Sequence, residues 1–595
     1  MSAQPNSWPQ VTDELLPNTL FQIASLHPDV IYAEYFSDPT NLANGYRKVT
    51  YQDFASAVHA LAWRIEENVG KPSVGDGSET MVYIGPNDLR YGFLVLASII
   101  SGYKMLFPSP RYGAEAIAGL IDSDIVDSNI MLQSSDPVPV VAEVLQKRSM
   151  HNYQIPSLET LLSSKPRTYP FTKTFLEHKH EPFLVLHTSG TTGFPKPILW
   201  THDWANSVFE SFHLPPTATG IPSSSYFCGP NQRVMFLFPA FHTSGISGYL
   251  LFPLGQRMTC VIPLPPAPTL SSVMDQIAEV LDWLGDDDGA RAHLITLPPP
   301  HMEYMGSNPA MLDRISQRVK TVMFGGGGIS VAEGNAVAAK MKLINDVGST
   351  ELGLWPSLER PESNIWNGDK VDELWRYTPL HPVLNIRLDP VDSTPEGDVC
   401  EAIMIRNVEG WVQPLFKINT KDKERSLGDL FIRHPRHPDL WRHYGRSDDV
   451  LNFLTGEKFI PVAAEQRISA NTAVEEVIMV GTTRPKSALI IRLKDGASLE
   501  DAWKMIDEVN QTSPVYARVA KDMILVVNEP FLQTAKGSIQ KKAMLELYQK
   551  QLDDMYKTTA ISYIVWIGRN LKHFHSTVAS SQPGTYRYSP AHYHC

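Results

Sequence analysis

Leu186-His-Thr-Ser-Gly-Thr-Thr-Gly-Phe-Pro-Lys196 is a run of small hydroxyl residues and glycines ending in a lysine, and it continues the apolar segment Phe183-Leu-Val-Leu186. The apolar segment reads as a buried strand, and the run behind it as the loop into which that strand empties. Such a loop suits a polyphosphate. Gly190 and Gly193 let backbone N–H groups converge, the hydroxyls of Thr188, Ser189, Thr191 and Thr192 donate hydrogen bonds, and Lys196 adds a positive charge. The spacing is not that of G-x-x-x-x-G-K-[ST], because Gly190 and Lys196 are wrongly separated and Pro195 intervenes. The stretch therefore predicts nucleotide binding by a loop of another kind.

Outward from this loop, strand-like and helical patterns alternate. Residues 81–84, 129–132, 233–238, 258–262, 293–296 and 319–324 are short apolar runs of strand length, while 88–103, 270–284 and 330–341 carry helical patterns. This alternation predicts an α/β fold with mainly parallel sheets. The proline-rich pieces 263–268 and 298–300 mark loops on that core.

A chain of 595 residues exceeds a single core and implies about two to four domains. With 43% hydrophobic and 19% charged residues the composition is that of a globular protein. A net charge of −12 and the lack of any basic block exclude a general nucleic-acid footprint, which leaves small molecules or proteins as partners. Cys228, Cys260, Cys400 and Cys595 are scattered without a disulfide framework, as in a reducing compartment. The first fifteen residues hold Asp13 and Glu14 and no apolar core, so they do not read as a secretory signal. The apolar stretch 91–100 falls far short of the ~20 residues that cross a bilayer and reads as a buried helix. The expectation is a cytoplasmic protein with no membrane association.

The glycine-rich loop resembles the phosphate-loop motif [ST]-S-G-[ST]-T-G-x-P-K-G of the adenylate-forming superfamily, which includes acyl-CoA synthetases, adenylation domains of nonribosomal peptide synthetases (NRPS) and luciferases. Pro197 stands where that family usually has glycine. Further motifs follow in the family's order. Phe238-Pro-Ala-Phe-His242-Thr-Ser-Gly245 resembles P-x-F-H-x-x-G and implies that His242 lines the acyl pocket near the reacting carboxylate and the nucleotide. No aspartate lies between Phe238 and Gly248, where amino-acid-activating relatives pair one with the substrate ammonium. A buried ammonium without a carboxylate is costly, so the acid is expected to lack an α-amino group.

Phe324-Gly-Gly-Gly-Gly-Ile-Ser330 resembles the turn against which adenine and the acyl group pack, and Ile344-Asn-Asp-Val-Gly-Ser-Thr-Glu351 resembles Y-G-x-T-E. By that resemblance Asn345 and Asp346 lie along adenine and ribose, Thr350 contacts phosphate, and Glu351 is the Mg²⁺ ligand. One carboxylate suffices when ATP oxygens and water complete the sphere. Val347 replaces the family's tyrosine. Leu427-Gly-Asp429 resembles T-G-D, whose aspartate accepts from both ribose hydroxyls, and Gly445-Arg-Ser-Asp448 resembles G-R-x-D, which puts Arg446 on the ribose and a hinge at Asp448.

Beyond the hinge, residues 476–480, 488–491 and 523–527 read as strands and 499–509 as a helix. The unit ends in Leu532-Gln-Thr-Ala-Lys536-Gly-Ser-Ile-Gln-Lys541, similar to the family's last motif but with Ser538 after the glycine where the lysine usually stands. Adenylation domains of single-module, reductase-type NRPS-like enzymes show a similar T-x-K-G-[ST]-[IV]-Q pattern. Lys536 takes the catalytic role on this reading, with Lys541 the alternative.

The resemblance thus implies a large N-terminal AMP-binding domain over residues 1–445 and a small, mobile C-terminal α+β subdomain over 446–556. The poorly periodic stretch 557–595 reads as a tail or the mark of a truncation. No carrier-domain serine in a G-x-[DH]-S setting occurs in 558–595. The implied function is ATP-dependent activation of a small-molecule carboxylic acid, within secondary metabolism, as an acyl-adenylate. Transfer to CoA or to the phosphopantetheine of a separate carrier protein would follow, and Lys536, His242, Thr350 and Glu351 form the implied catalytic set. A truncated or catalytically reduced nucleotide-binding or regulatory homologue is the other reading.

Overall fold

The apolar stretch at 91–100 forms the helix Arg90–Ser101, and every one of its residues is buried. This computed structural model describes residues 8–557 except residue 10 and the segments 39–41, 136–137, 190–194, 227–231, 266, 286–291, 360–372, 395, 455 and 534–538. The chain divides into two compact units, one of residues 1–448 with 533–540 and one of 449–532 with the chain from 541 onward.

The first unit is built on two largely parallel sheets. Seven strands lie in the order Lys342–Asp346, Thr321–Gly325, Ala292–Leu297, Arg233–Phe236, Thr259–Val261, Ile31–Phe36 and Tyr46–Thr50. All neighbours are parallel except the last pair. Six strands form the second sheet in the order His151–Gln154, Ile130–Gln133, Thr80–Ile84, Lys104–Leu106, Pro182–Ser189 and Pro195–Thr201, again parallel except for the last pair. One apolar cluster contains Val234 and Cys260 from the first sheet, Met105 and Leu184 from the second, and Phe93 and Leu94 from the helix Arg90–Ser101. Burial on every side explains why that helix is apolar all round rather than along one stripe.

A third sheet of this unit is wholly antiparallel, in the order Thr378–Pro379, Leu440–Arg446, Glu424–Arg433, Gly397–Ile405 and Ile386–Thr394. Its strands are half-covered, and Ile386–Thr394 and Glu424–Arg433 interleave apolar with charged residues, so apart from 402–405 they lack the continuous apolar runs by which the central parallel strands are legible. In the second unit Val474–Val480 pairs antiparallel with Ala488–Leu493, which pairs parallel with Ile524–Val527. Helix Leu499–Thr512 connects the parallel pair and starts in a capping box between Ser498 and Asp501. The chain therefore has an α/β architecture with mainly parallel main sheets and a small α+β unit. Among the described residues no helix is long and apolar enough to cross a membrane, and Cys260 and Cys400 are free and buried.

Candidate active site

The phosphate-loop stretch is a hairpin. Pro182–Ser189 pairs antiparallel with Pro195–Thr201, placing Thr188 opposite Lys196 and Ser189 opposite Pro195. Gly190, Thr191, Thr192 and Gly193, with the side chain of Ser189, lie outside the described residues. Directly opposed residues share a face, so the Thr188 hydroxyl and the exposed Lys196 ammonium flank the same side of the hairpin. Pro197 is accommodated because Pro195–Thr201 is an edge strand, where a missing N–H on the open side breaks no ladder. His187, paired with Pro197, accepts a hydrogen bond at Nε2 from the backbone of Ser109 at 3.0 Å. Burial drops its pKa to about 4, so the ring is neutral and its proton sits on Nδ1.

The acidic turn is tied to this hairpin by two indoles. Trp200, on the second strand of the hairpin, donates from Nε1 to the carbonyl of Thr350 at 2.9 Å, and Trp204, on helix His202–Ser211, donates to the carbonyl of Glu351 at 2.8 Å. The two buried rings stack with centroids 3.6 Å apart. Gly348–Ser349 pairs with Gly353–Leu354, closing a tight turn from which the half-buried Glu351 carboxylate projects without a described cationic partner. Thr350 is buried in the same turn.

Beneath the turn, Leu352, Trp355 and Phe431 belong to one apolar cluster, against which Val347 and Leu427 pack. That cluster joins the turn to the strand Glu424–Arg433, which carries Asp429. Val347, unusual in its motif, is thus used as packing. Asn345 donates from Nδ2 to the carbonyl of Arg376 at 3.0 Å, which leaves its Oδ1 as an acceptor, and its own carbonyl accepts from Thr378 Oγ1 at 3.0 Å. Asp346 follows at the strand end, where burial pushes its carboxyl well up against a weaker opposing hydrogen bond from Val347.

His242 caps the short helix Thr243–Ile246 by accepting from the backbone of Ser244 at Nδ1, 3.2 Å away. The neutral ring therefore carries its proton on Nε2. Gly245 is required by close approach: a Cβ there would meet the carbonyl oxygen of Pro239 at 1.9 Å.

Asp429 sits at a bulge in its strand rather than in a loop, directly opposite Arg446. The side chain is 14% exposed, and its Oδ1 lies 3.0 Å from Arg446 Nη1 and 3.1 Å from His443 Nε2. Burial alone would raise its pKa, but His443 and Arg446 outweigh that, and the carboxyl stays below the usual range. Gly428 makes the bulge possible with φ +65°, and a Cβ there would strike Arg446 Nη2 at 2.6 Å. Arg446 also lies 3.5 Å from Asp448.

Lys536 lies outside the described residues, while Gln533 and Ile539 on either side of it are bridged antiparallel. Lys541 belongs to the small unit. Its ammonium lies 2.9 Å from Glu465 Oε2 and 3.8 Å from Asp449, and the backbone of Met479 donates to Glu465 Oε1 at 2.8 Å. Trp200, Trp204 and His443 were not evident as site residues from sequence. The two tryptophans are signalled only by their spacing of four across a strand–helix junction, and His443 only by its place within the last strand before the hinge motif.

The family model described as AMP-binding enzyme matches residues 26–386, and that described as AMP-binding enzyme C-terminal domain matches 448–560. The chain belongs to the AMP-binding enzyme family. It is adenylate-forming in type, and its curated relatives include reductases and NRPS-like proteins. An isocyanide synthase–NRPS hybrid, crmA, of Aspergillus fumigatus is 29% identical over 560 residues, 91% of this chain and 33% of that protein. A carboxylic acid reductase of Neurospora crassa is 28% identical over 538 residues, 88% of this chain and 48% of the reductase. This AMP-binding chain therefore spans about a third to a half of those relatives. Among solved structures, the anthranilate CoA ligase AuaEII in complex with anthranoyl-AMP superposes with a TM-score of 0.66 at 16% identity, over 92% of this chain and 99% of that one. ATP-bound MatB from Rhodopseudomonas palustris gives 0.64 at 16% identity, over 90% of this chain and 100% of that one. These likenesses fix the fold.

Proposed function

We propose that the chain activates a carboxylic acid lacking an α-amino group as its acyl-adenylate, using ATP, and passes the acyl group to a thiol, either CoA or the phosphopantetheine of a carrier protein in trans. What carries the reading is the linkage of three segments in one unit. The indoles of Trp200 and Trp204 hold the carbonyls of Thr350 and Glu351 against the hairpin of Thr188 and Lys196, and the cluster of Leu352, Trp355 and Phe431 holds the same turn against the strand of Asp429.

In this reading Asp429 and Arg446 hold the ribose, and Asn345 Oδ1 accepts from the adenine amino group, with Asp346 beside it. Thr350 and the Thr188–Lys196 hairpin, with Ser189, Gly190, Thr191, Thr192 and Gly193, surround the phosphates. The substrate carboxylate attacks the α-phosphorus, the new bond runs from its oxygen to phosphorus, and the α–β bridging oxygen leaves with pyrophosphate. Lys196 takes up charge on that leaving group. Glu351, a hard oxygen donor with no described cationic partner, fits a Mg²⁺ site completed by nucleotide oxygens and water, and the bound ion would offset pyrophosphate charge. His242, with its proton on Nε2, donates to the acid or the phosphate. Lys536 bridges the carboxylate and phosphate oxygens and so positions attack; it is favoured over Lys541, whose ammonium is engaged by Glu465. The name of the Neurospora relative includes reduction of an acid; the residues given roles above serve the activation step.

ATP–pyrophosphate exchange over a panel of aryl, α-keto and fatty acids tests the proposal. Exchange with at least one acid, abolished in Lys536→Ala and retained in Lys541→Met, is the expected result. Nucleotide binding without exchange on any acid would favour the regulatory reading.

A further inference from the structure

Both side chains that hold Asp429 are bonded to the same carboxylate oxygen. His443 Nε2 and Arg446 Nη1 approach Oδ1 at 3.1 and 3.0 Å, and among the described residues no side chain is bonded to Oδ2. The arrangement is set by the strand pair, in which Asp429 is opposite Arg446 and Phe431 is opposite His443. The ring of Phe431 meets the imidazole edge-on, with centroids 5.6 Å apart at 89°, and confines it from a second side. Gly428 lets the guanidinium lie against the backbone of the bulge. A carboxylate so gripped has a fixed plane, and its other oxygen keeps two lone pairs, enough to accept from two neighbouring hydroxyls.

We propose that His443 is a positioning residue for nucleotide binding: by occupying Oδ1 beside Arg446 it orients Asp429 so that Oδ2 receives the ribose hydroxyl pair. The inference rests on the assignment of Asp429 to the ribose, and goes beyond it by giving His443 a role in discriminating ribose from deoxyribose. Arg446 alone does not replace it. Its guanidinium is shared with Asp448 and with the carbonyl of Leu427, so without His443 the carboxylate can turn about the one remaining hydrogen bond.

Binding of AMP and of 2′-deoxy-AMP to the full chain, followed by isothermal calorimetry, tests this without knowledge of the acid. His443→Phe keeps the ring shape but removes the donor, and is expected to weaken AMP about tenfold and 2′-deoxy-AMP, which keeps only the 3′-hydroxyl, by less, so that the preference between the two narrows. His443→Gln presents a donor at similar reach and is expected to restore most of the preference, a rescue that a merely structural role would not produce. Asp429→Asn is the control for the underlying assignment. If Asp429→Asn leaves AMP affinity unchanged, the ribose reading itself fails. If Asp429→Asn weakens AMP but folded His443→Phe retains the wild-type preference, or folded His443→Gln is as poor as His443→Phe, the role given to His443 is overturned.

Discussion

At the scale of single residues, the surroundings of Lys541 give that lysine a structural role. Lys541 is 22% exposed and paired with a Glu465 side chain that is 12% exposed. Burial raises the Glu465 carboxyl, and Lys541 works against that rise. Removing the ammonium leaves a desolvated carboxylate with one backbone hydrogen bond, so Lys541→Ala should destabilise the protein by about 2–4 kcal/mol at neutral pH, between the values for exposed and fully buried pairs. Once Glu465 is protonated it needs no cation, so the deficit shrinks as pH falls. Calorimetric unfolding of both variants checks this. Lys536→Ala should melt with wild type yet lose exchange, and a Lys541→Ala variant as stable as wild type would remove the structural role given to that lysine.

At the scale of elements, the strand-and-loop signal at 183–196 and the central parallel strands, such as Thr80–Ile84, Arg233–Phe236 and Ala292–Leu297, were legible because they are buried on both faces and read as unbroken apolar runs. The helix Arg90–Ser101 was legible for the same reason. The parallel edge strands His151–Gln154 and Lys342–Asp346 are polar and partly exposed, and were missed. The five-stranded antiparallel sheet was not: Arg387, Asp389 and Asp392 interrupt Ile386–Thr394, and that polarity is what a half-solvated sheet requires. The motif at Asp429 could be read while its strand could not, because a bulge glycine resembles a turn glycine in sequence. Nor could the sequence pair Trp200 and Trp204 with carbonyls about 150 residues away, since long-range partners leave no local pattern. That indole pair makes the turn of Thr350 and Glu351 part of the hairpin. Trp204→Phe keeps much of the stack but loses the hydrogen bond to the Glu351 carbonyl, and should cost about 1–3 kcal/mol of stability. It should also raise the Mg²⁺ concentration needed for half-maximal exchange several-fold. Val208→Ala, which trims the apolar cluster that contains Trp204 without removing a donor, should lower stability but leave the Mg²⁺ dependence unchanged.

Over the whole molecule, buried neutral histidines set a response to acid. Burial lowers His187 to about 4 and His202, assisted by Lys173 and His178, to about 3. Both folded values lie below the unfolded value of 6.5, so between about pH 4 and 6.5 the unfolded chain binds more protons and stability rises with pH. Each histidine contributes up to ~1.4 kcal/mol per pH unit in that window. Asp346 and Glu465 act the other way, since their folded values are raised and protonation relieves them as pH falls. The histidine share is isolated by His202→Phe. His202 is 3% exposed, stacks on Phe183 with centroids 5.1 Å apart, and buries an Nδ1 that has no hydrogen-bond partner among the described residues. An apolar ring therefore fits the site and cannot titrate. In urea unfolding at pH 7 the variant should lie within about 1 kcal/mol of wild type, and at pH 5 it should gain ~2 kcal/mol relative to wild type. A difference that stays constant from pH 7 to pH 5 would mean that His202 is protonated alike in the folded and unfolded chain, and that burial does not hold it neutral.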